Sequence, residues 1–231
     1  MSTALIKYLS EWNKRPSDKY REPGPVVTIS REMGCPGKMV SSTLIEELNK
    51  RYRLKDDLAW RWLAKEEILK IASANLGMPK EEIDYVFEAK RKGIMLEILE
   101  SMSTKYYKSD KHIQNTVKHI IRSEASKGHV VILGRGGVAI TRDIPRSLHI
   151  HLEAPLEWRV LRVQEIYQFD PQEAEHYVRE IDRKREEIRI YFGGINTDYL
   201  RFDITFNAMT LSVQEIVDII IHSMEVRNLI V

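Results

Sequence analysis

The run Ser30-Arg31-Glu32-Met33-Gly34-Cys35-Pro36-Gly37-Lys38 brings two glycines together with a lysine, an arginine and a glutamate. It follows the β-branched run Pro25 to Ser30 and precedes a helical pattern with Val40, Leu44, Ile45 and Leu48 inward. The glycines therefore fall where a strand turns into a helix N-terminus. Backbone N–H groups converge at such a turn, and the helix end adds partial positive charge, so the chemistry on offer is anion binding, phosphate above all. Lys38, just inside the helix, can reach the outer phosphates of such an anion. The P-loop pattern G-x-x-x-x-G-K-[ST] is met in part. Gly37-Lys38 fits, Glu32 stands where the first glycine belongs, and Met39 stands where a hydroxyl would meet magnesium. Pro36 has no N–H to donate. The competing reading is a plain glycine turn with a solvated lysine.

A second turn, Leu133-Gly134-Arg135-Gly136-Gly137, ends another apolar run. The planar fork of Arg135 suits a phosphate, although a carboxylate could take it equally well. A third segment is a long helical pattern from about Glu173 to Tyr191. Its apolar row holds Ala174, Val178, Ile181, Ile188 and Phe192. Asp182, Arg185 and Arg189 stand at i, i+3 and i+7 and so point the same way. Solvated i,i+4 ion pairs are the usual account of such a helix. Arginines carried on a helix toward transferring phosphates are the other, because charge stabilisation dominates phosphoryl transfer. Cys35 at a helix N-terminus invites a lowered thiol pKa. With no histidine near it in sequence, a small loop residue in the place of serine is the preferred reading.

These segments need strands to carry them. His129 to Leu133 reads as a buried parallel strand, Leu148 to Leu152 as another, and Arg201 to Phe206 as a last one. Helical patterns cover about 64–76, 80–90, 92–107 and 110–126, then 155–167, 171–191 and 212–226. The stretch from 56 to 127 is expected to be mostly helical. Strands alternating with helices predict a parallel sheet covered on both faces, whose ligands lie beyond the strands' carboxyl ends. Residues 1–23 read as a short amphipathic helix and a linker. Leu5, Leu9 and Trp12 offer a face for docking on the same domain or for a homodimer contact.

The 231 residues suffice for a sizeable core, and 43% hydrophobic with 30% charged residues is a globular composition. A net charge of +2 gives no general reason to expect nucleic acid or a membrane surface. One cysteine excludes an intrachain disulfide, and no apolar run approaches a membrane span. The expectation is a soluble, cytoplasmic protein.

Five segments, in order, resemble the cytidylate kinase-like family, a branch of the P-loop nucleoside monophosphate kinases. The family's I-[ST]-I-S-R-E-x-G-S-G-G opening is matched by Val27 to Gly37. Its apolar run ending in G-R is matched by Val131 to Gly137, with Pro145 after it. Its A-P-L-E-x-R turn is Ala154 to Arg159, its E-A-E…I-D-x-x-R stretch is Glu173 to Arg185, and its late Y-D-L-x-x-N-T element is Phe202 to Ala208. The resemblance spans about residues 24–225. It implies a P-loop α/β fold: a parallel sheet flanked by helices, a helical NMP-binding insertion at about 56–127 and a helical lid at about 168–195. It implies ATP and magnesium as cofactors and nucleotides as the partners. By resemblance, Arg31, Gly34, Cys35, Gly37, Lys38 and Met39 cradle the donor phosphates. Arg135 matches the arginine that holds the acceptor's phosphate, and Asp182 and Arg185 match lid residues near the transferring group, with Arg189 beside them. The departures are Cys35-Pro36 in place of Ser-Gly, Gly136 where cytidylate kinases have a base-reading aspartate, and Met39 in place of a hydroxyl. The implied activity is transfer of the ATP γ-phosphate to a CMP-like acceptor. The alternative is a nucleotide-binding or regulatory protein on the same fold that no longer catalyses. Nucleic-acid binding through the long helix is disfavoured, since its acidic residues nearly cancel its basic ones.

Overall fold

Val26-Val27-Thr28-Ile29 is β-branched throughout and forms the first four residues of β1, Val26–Arg31, whose first five residues are buried. The computed structural model describes residues 24–52, 58–85, 110–193 and 202–230. The expected helices at 1–15 and 92–107, and the homodimer face on the first, lie outside them. After β1 comes α1, Gly37–Tyr52, which buries Val40, Leu44 and Leu48 one turn apart. Then follow β2, Arg61–Leu63, α2, Lys65–Leu76, α3, Lys80–Tyr85, and α4, Asp110–Lys127. β3 is Val130–Leu133, α5 Gly137–Thr141 and β4 Ser147–Glu153. α6, Leu156–Tyr167, and α7, Pro171–Gly193, precede β5, Ile204–Asn207, and α8, Val213–Val226. Ser212 and Glu215 cap α8 reciprocally, each taking up a backbone N–H at the helix start.

The strands lie in the order β2-β3-β1-β4-β5, every pairing parallel. All five carboxyl ends therefore share one edge of the sheet. One face packs Val27, Ile29, Leu148 and Ile150 against Leu44 of α1 and Ile216 and Ile220 of α8. The other packs Val26, Val130 and Ile132 against Ile68 of α2 and Val117 and Ile121 of α4. The parallel sheet with helices on both faces is as the alternation implied. The difference is β2, which falls inside the stretch expected to be mostly helical. Three residues, Arg61-Trp62-Leu63, are too few to show a period of two. Among the described residues no helix is long and apolar enough to cross a membrane.

Beneath the carboxyl edge the sheet carries a polar column. His149, 6% exposed, sits between Thr28 Oγ1 at 2.8 Å from Nδ1 and Ser147 Oγ at 3.1 Å from Nε2. The Ser147 hydroxyl donates its proton to the Ile144 carbonyl, so it accepts from Nε2–H, and Nδ1 accepts from Thr28. The ring is thus held neutral, and burial depresses its pKa to about 4. His151, two residues on, is stacked on Phe202 at 4.4 Å and is also pushed down to about 4, by burial first and Arg189 second. A folded pKa below the unfolded value means that the unfolded chain takes up the extra protons. The stability these rings contribute is whole above pH 6.5 and is lost as pH falls toward 4. We expect urea titrations to show a loss on the order of 1–3 kcal/mol per ring between pH 7 and pH 4. The His151→Phe variant should lose correspondingly less. An equal loss in that variant would assign the acid sensitivity elsewhere.

Candidate active site

Three segments meet at the carboxyl edge of the sheet. The first is the loop from β1 into α1, which is tied down on almost every residue. The Glu32 N–H donates to the Leu152 carbonyl at 2.9 Å. The Glu32 carboxylate accepts from the Ala154 N–H at 3.1 Å and pairs with Arg159 Nε at 3.1 Å. The Met33 N–H donates to Asp182 Oδ1 at 2.6 Å. Arg159 bonds the Met33 carbonyl at 3.2 Å, and Arg162 the Gly34 carbonyl at 3.0 Å. Gly34 has φ +95°, and a Cβ there would stand 2.9 Å from the Arg159 carbonyl oxygen. Its glycine is required by the close approach of α6 as well as by its backbone conformation. The Cys35 and Gly37 N–H groups turn back onto the loop's own carbonyls. Among the described residues the N–H groups of Gly34, Lys38 and Met39 remain without an acceptor. The latter two belong to the first turn of α1, where an anion is favoured.

The second segment is the turn after β3. Gly134, Arg135 and Gly136 have φ of 70°, 54° and 70°, three left-handed residues in succession. Arg135 pairs with Asp84 of α3 at 3.1 Å. A Cβ on Gly136 would lie 2.5 Å from Phe192 Cδ2 of α7. The third segment is α7 itself. Arg185 donates to the Arg31 carbonyl at 3.0 Å and reaches Met33 Sδ at 3.7 Å. Arg189 donates to Ser30 Oγ at 3.2 Å and pairs with Glu186. Asp182 takes Met33 N–H on one oxygen and Arg159 at 2.5 Å on the other, which fixes the helix to the loop.

Between the end of β1, the second turn and α7 lies a cavity of about 30 Å³, lined by Thr28, Ser30, Arg31, Arg135, Arg185 and Arg189 among others. That is room for about two waters, so a larger ligand extends beyond it or displaces its lining. Four guanidiniums crowd one small volume. The pKa of Arg31 falls to about 9, through burial first and then Arg185, Arg135 and Arg189. Arg185 is lowered too, chiefly by burial. Assembled like charge of this kind favours a polyanion carrying several acceptor oxygens.

Of the residues singled out from sequence, Arg31, Arg135, Arg185 and Arg189 line this cavity, whereas Asp182 ties α7 to the loop. Lys38 and Met39 project from the first turn of α1, both exposed, Met39 by 56%. Cys35 is half-buried and its thiol is pushed up to about 12, by burial first and Glu32 second, which outweigh the helix end. It is a thiol and not a thiolate at neutral pH. The hydroxyl position of the usual loop supplies no magnesium ligand here. Ser41 Oγ donates to the Gly37 carbonyl and Ser42 Oγ to that of Met39, and Met39 carries no oxygen on its side chain. Arg159, 7% exposed, and Glu32 are the structural centre of the loop, and residue types alone gave no sign of it. The signal was their place in the quoted motifs, Glu32 next to Arg31 and Arg159 closing Ala154 to Arg159.

The chain is similar to solved structures and to one family model. An uncharacterised protein from Eubacterium ventriosum superposes with a TM-score of 0.61 at 19% identity, over 87% of this chain and 98% of that one. Shikimate kinase from Acinetobacter baumannii, solved with shikimate, gives a TM-score of 0.47 at 14% identity, over 88% of this chain and 94% of that one. No curated protein matches the chain by sequence. The model of the cytidylate kinase-like family matches residues 26–210, from the first residue of β1 to the turn after β5. The chain belongs to the cytidylate kinase-like family.

Proposed function

We propose that this protein is a phosphotransferase that moves the γ-phosphate of ATP to a nucleoside monophosphate, with a CMP- or dCMP-like acceptor. The observation that carries this reading is the four-arginine cavity at the carboxyl edge of the sheet, walled by the end of β1, the second turn and α7. The free N–H groups of Gly34, Lys38 and Met39 face the donor phosphates. Arg135 holds the acceptor's phosphate, with Asp84 fixing its fork. Arg185 and Arg189 close over the transferring group, and Asp182 keeps them in register with the loop. No general base is required, because the attacking phosphate oxygen is already anionic and positioning with charge stabilisation does the work. In this reading the described helices within 56–127 belong to the acceptor-binding insertion, α7 is the lid, and magnesium enters with ATP.

One observation favours a second reading. Met39 leaves the usual hydroxyl position of α1 without a magnesium ligand, as in a nucleotide-binding protein that no longer turns over. The test is ADP formation from ATP and magnesium with CMP, dCMP, UMP, AMP and GMP offered separately. Acceptor-dependent ADP, fastest with CMP or dCMP, is the expected result. Binding of ATP by folded protein with no turnover on any acceptor would transfer the assignment to the second reading.

A further inference from the structure

A phosphate loop of the G-x-x-x-x-G-K form takes its cation from the lysine beside the last glycine, at the helix start. The register of the loop is open by one residue, so that place falls to Lys38 or to Gly37. Lys38 is exposed, lines no part of the cavity and makes no ion pair among the described residues. Gly37 has an ordinary backbone conformation, so its lack of a side chain has another cause. A Cβ at 37 would stand 3.0 Å from Arg31 Cγ and 3.1 Å from Arg31 Cδ. The volume into which a lysine at 37 would grow is filled by the stem of Arg31. Further out, the Arg31 guanidinium runs beneath Gly134, where a Cβ would collide with its terminal nitrogen. Gly37 and Gly134 leave room for one and the same side chain.

That side chain then ends in the cavity beside Arg135, Arg185 and Arg189. Among the described residues no carboxylate comes within ion-pair distance of it, whereas Arg135, Arg185 and Arg189 each have one within 4 Å. A buried guanidinium without a counter-charge is costly unless an anion supplies it.

We propose that Arg31, entering from the end of β1, makes the cationic contact to the donor's phosphate chain that a lysine at the start of α1 makes in the usual loop, and that Lys38 is dispensable. The inference rests on the phosphotransfer reading of the same site, but concerns binding and can be tested without turnover.

The experiment is calorimetric titration of the full chain with inorganic tripolyphosphate and with ATP. The variants are Arg31→Met, Lys38→Met, Gly37→Lys, and the exchange Arg31→Gly with Gly37→Lys. Arg31→Met should weaken tripolyphosphate about 10- to 100-fold, the value of one lost charge-assisted contact. Lys38→Met, which keeps the backbone N–H and removes only the exposed ammonium, should stay within about 3-fold, since an exposed charge is screened. Gly37→Lys alone should bind poorly, because two side chains claim one volume. The exchange should recover at least about tenfold over Arg31→Met, a coupling that independent sites do not show. Arg31→Met removes one of four like charges, so its melting temperature should not fall, which separates lost binding from lost fold. Equal losses in Arg31→Met and Lys38→Met, or wild-type binding by Gly37→Lys, would overturn the proposal. Tripolyphosphate binding that depends on Arg31, with no turnover on any acceptor, would keep it and remove the kinase reading. Full turnover by Arg31→Met would do the reverse.

Discussion

Replacing Arg185 by alanine should lower turnover by about three orders of magnitude while ATP affinity changes by less than tenfold. Arg185 stands where α7 meets the loop, 3.0 Å from the Arg31 carbonyl, and lines the cavity in which charge would develop. Groups that stabilise a transferring phosphoryl act mostly in the transition state, and a single arginine there is worth about 10³–10⁵ in rate. Donor binding is shared with the loop N–H groups and the other arginines, so most of it survives. The check is kcat with the best acceptor beside calorimetric ATP affinity. Matching losses in both would make Arg185 a ground-state binding residue and would remove α7 from the chemistry.

Arg159→Met should destabilise the fold by about 3 kcal/mol, read from urea unfolding, and lower Tm by roughly 6–12 °C for a chain of this size. Methionine keeps much of the apolar stem, so the loss reports the fork. That fork holds Glu32, Asp182 and the carbonyls of Met33 and Ala154 together. Removing it strands two carboxylates, each still partly exposed to solvent, which keeps the cost at the low end for broken buried pairs. Glu32 already sits above its ordinary pKa, through burial. Without Arg159 it should rise further, so part of the lost stability should return on mild acidification. Arg159→Lys should recover less than half, because one ammonium cannot meet four acceptors in a plane. A loss below about 1 kcal/mol would show that the loop is held by its backbone bonds alone.

The sequence carried the sheet and its glycine turns clearly, for identifiable reasons. Four β-branched residues before a glycine turn, and Val40, Leu44 and Leu48 one turn apart, leave little choice but a strand running into a helix. The alignment of Arg185 and Arg189 on one face of α7 was visible from spacing alone. What spacing could not convey is distance through space. Met33 and Asp182 are 149 positions apart, and nothing local to either announces the 2.6 Å bond between them. Arg159 looks like any helical arginine until the packing of α6 against Gly34 is known. Lys38 drew attention because it adjoins Gly37, yet what the helix start lacks at 37 is filled from the strand by Arg31. Cys35 shows how two local rules compete. A helix end lowers a thiol's pKa, but half-burial beside Glu32 raises it more.

The place of β1 at the centre of the sheet bears on how the chain is made. Its partners are Val130 and Ser147, each more than a hundred residues later. When β1 and α1 leave the ribosome they have nothing to pair with, and four consecutive β-branched residues stay exposed until β3 and β4 emerge. At about 5–20 residues per second that interval lasts some 5–20 seconds, long enough for a chaperone to engage the segment. Closing such long loops also slows folding itself. Moving the chain's start by circular permutation to just before α4 would place β3 and β4 ahead of β1, and so turn a waiting strand into one that arrives at a prepared edge.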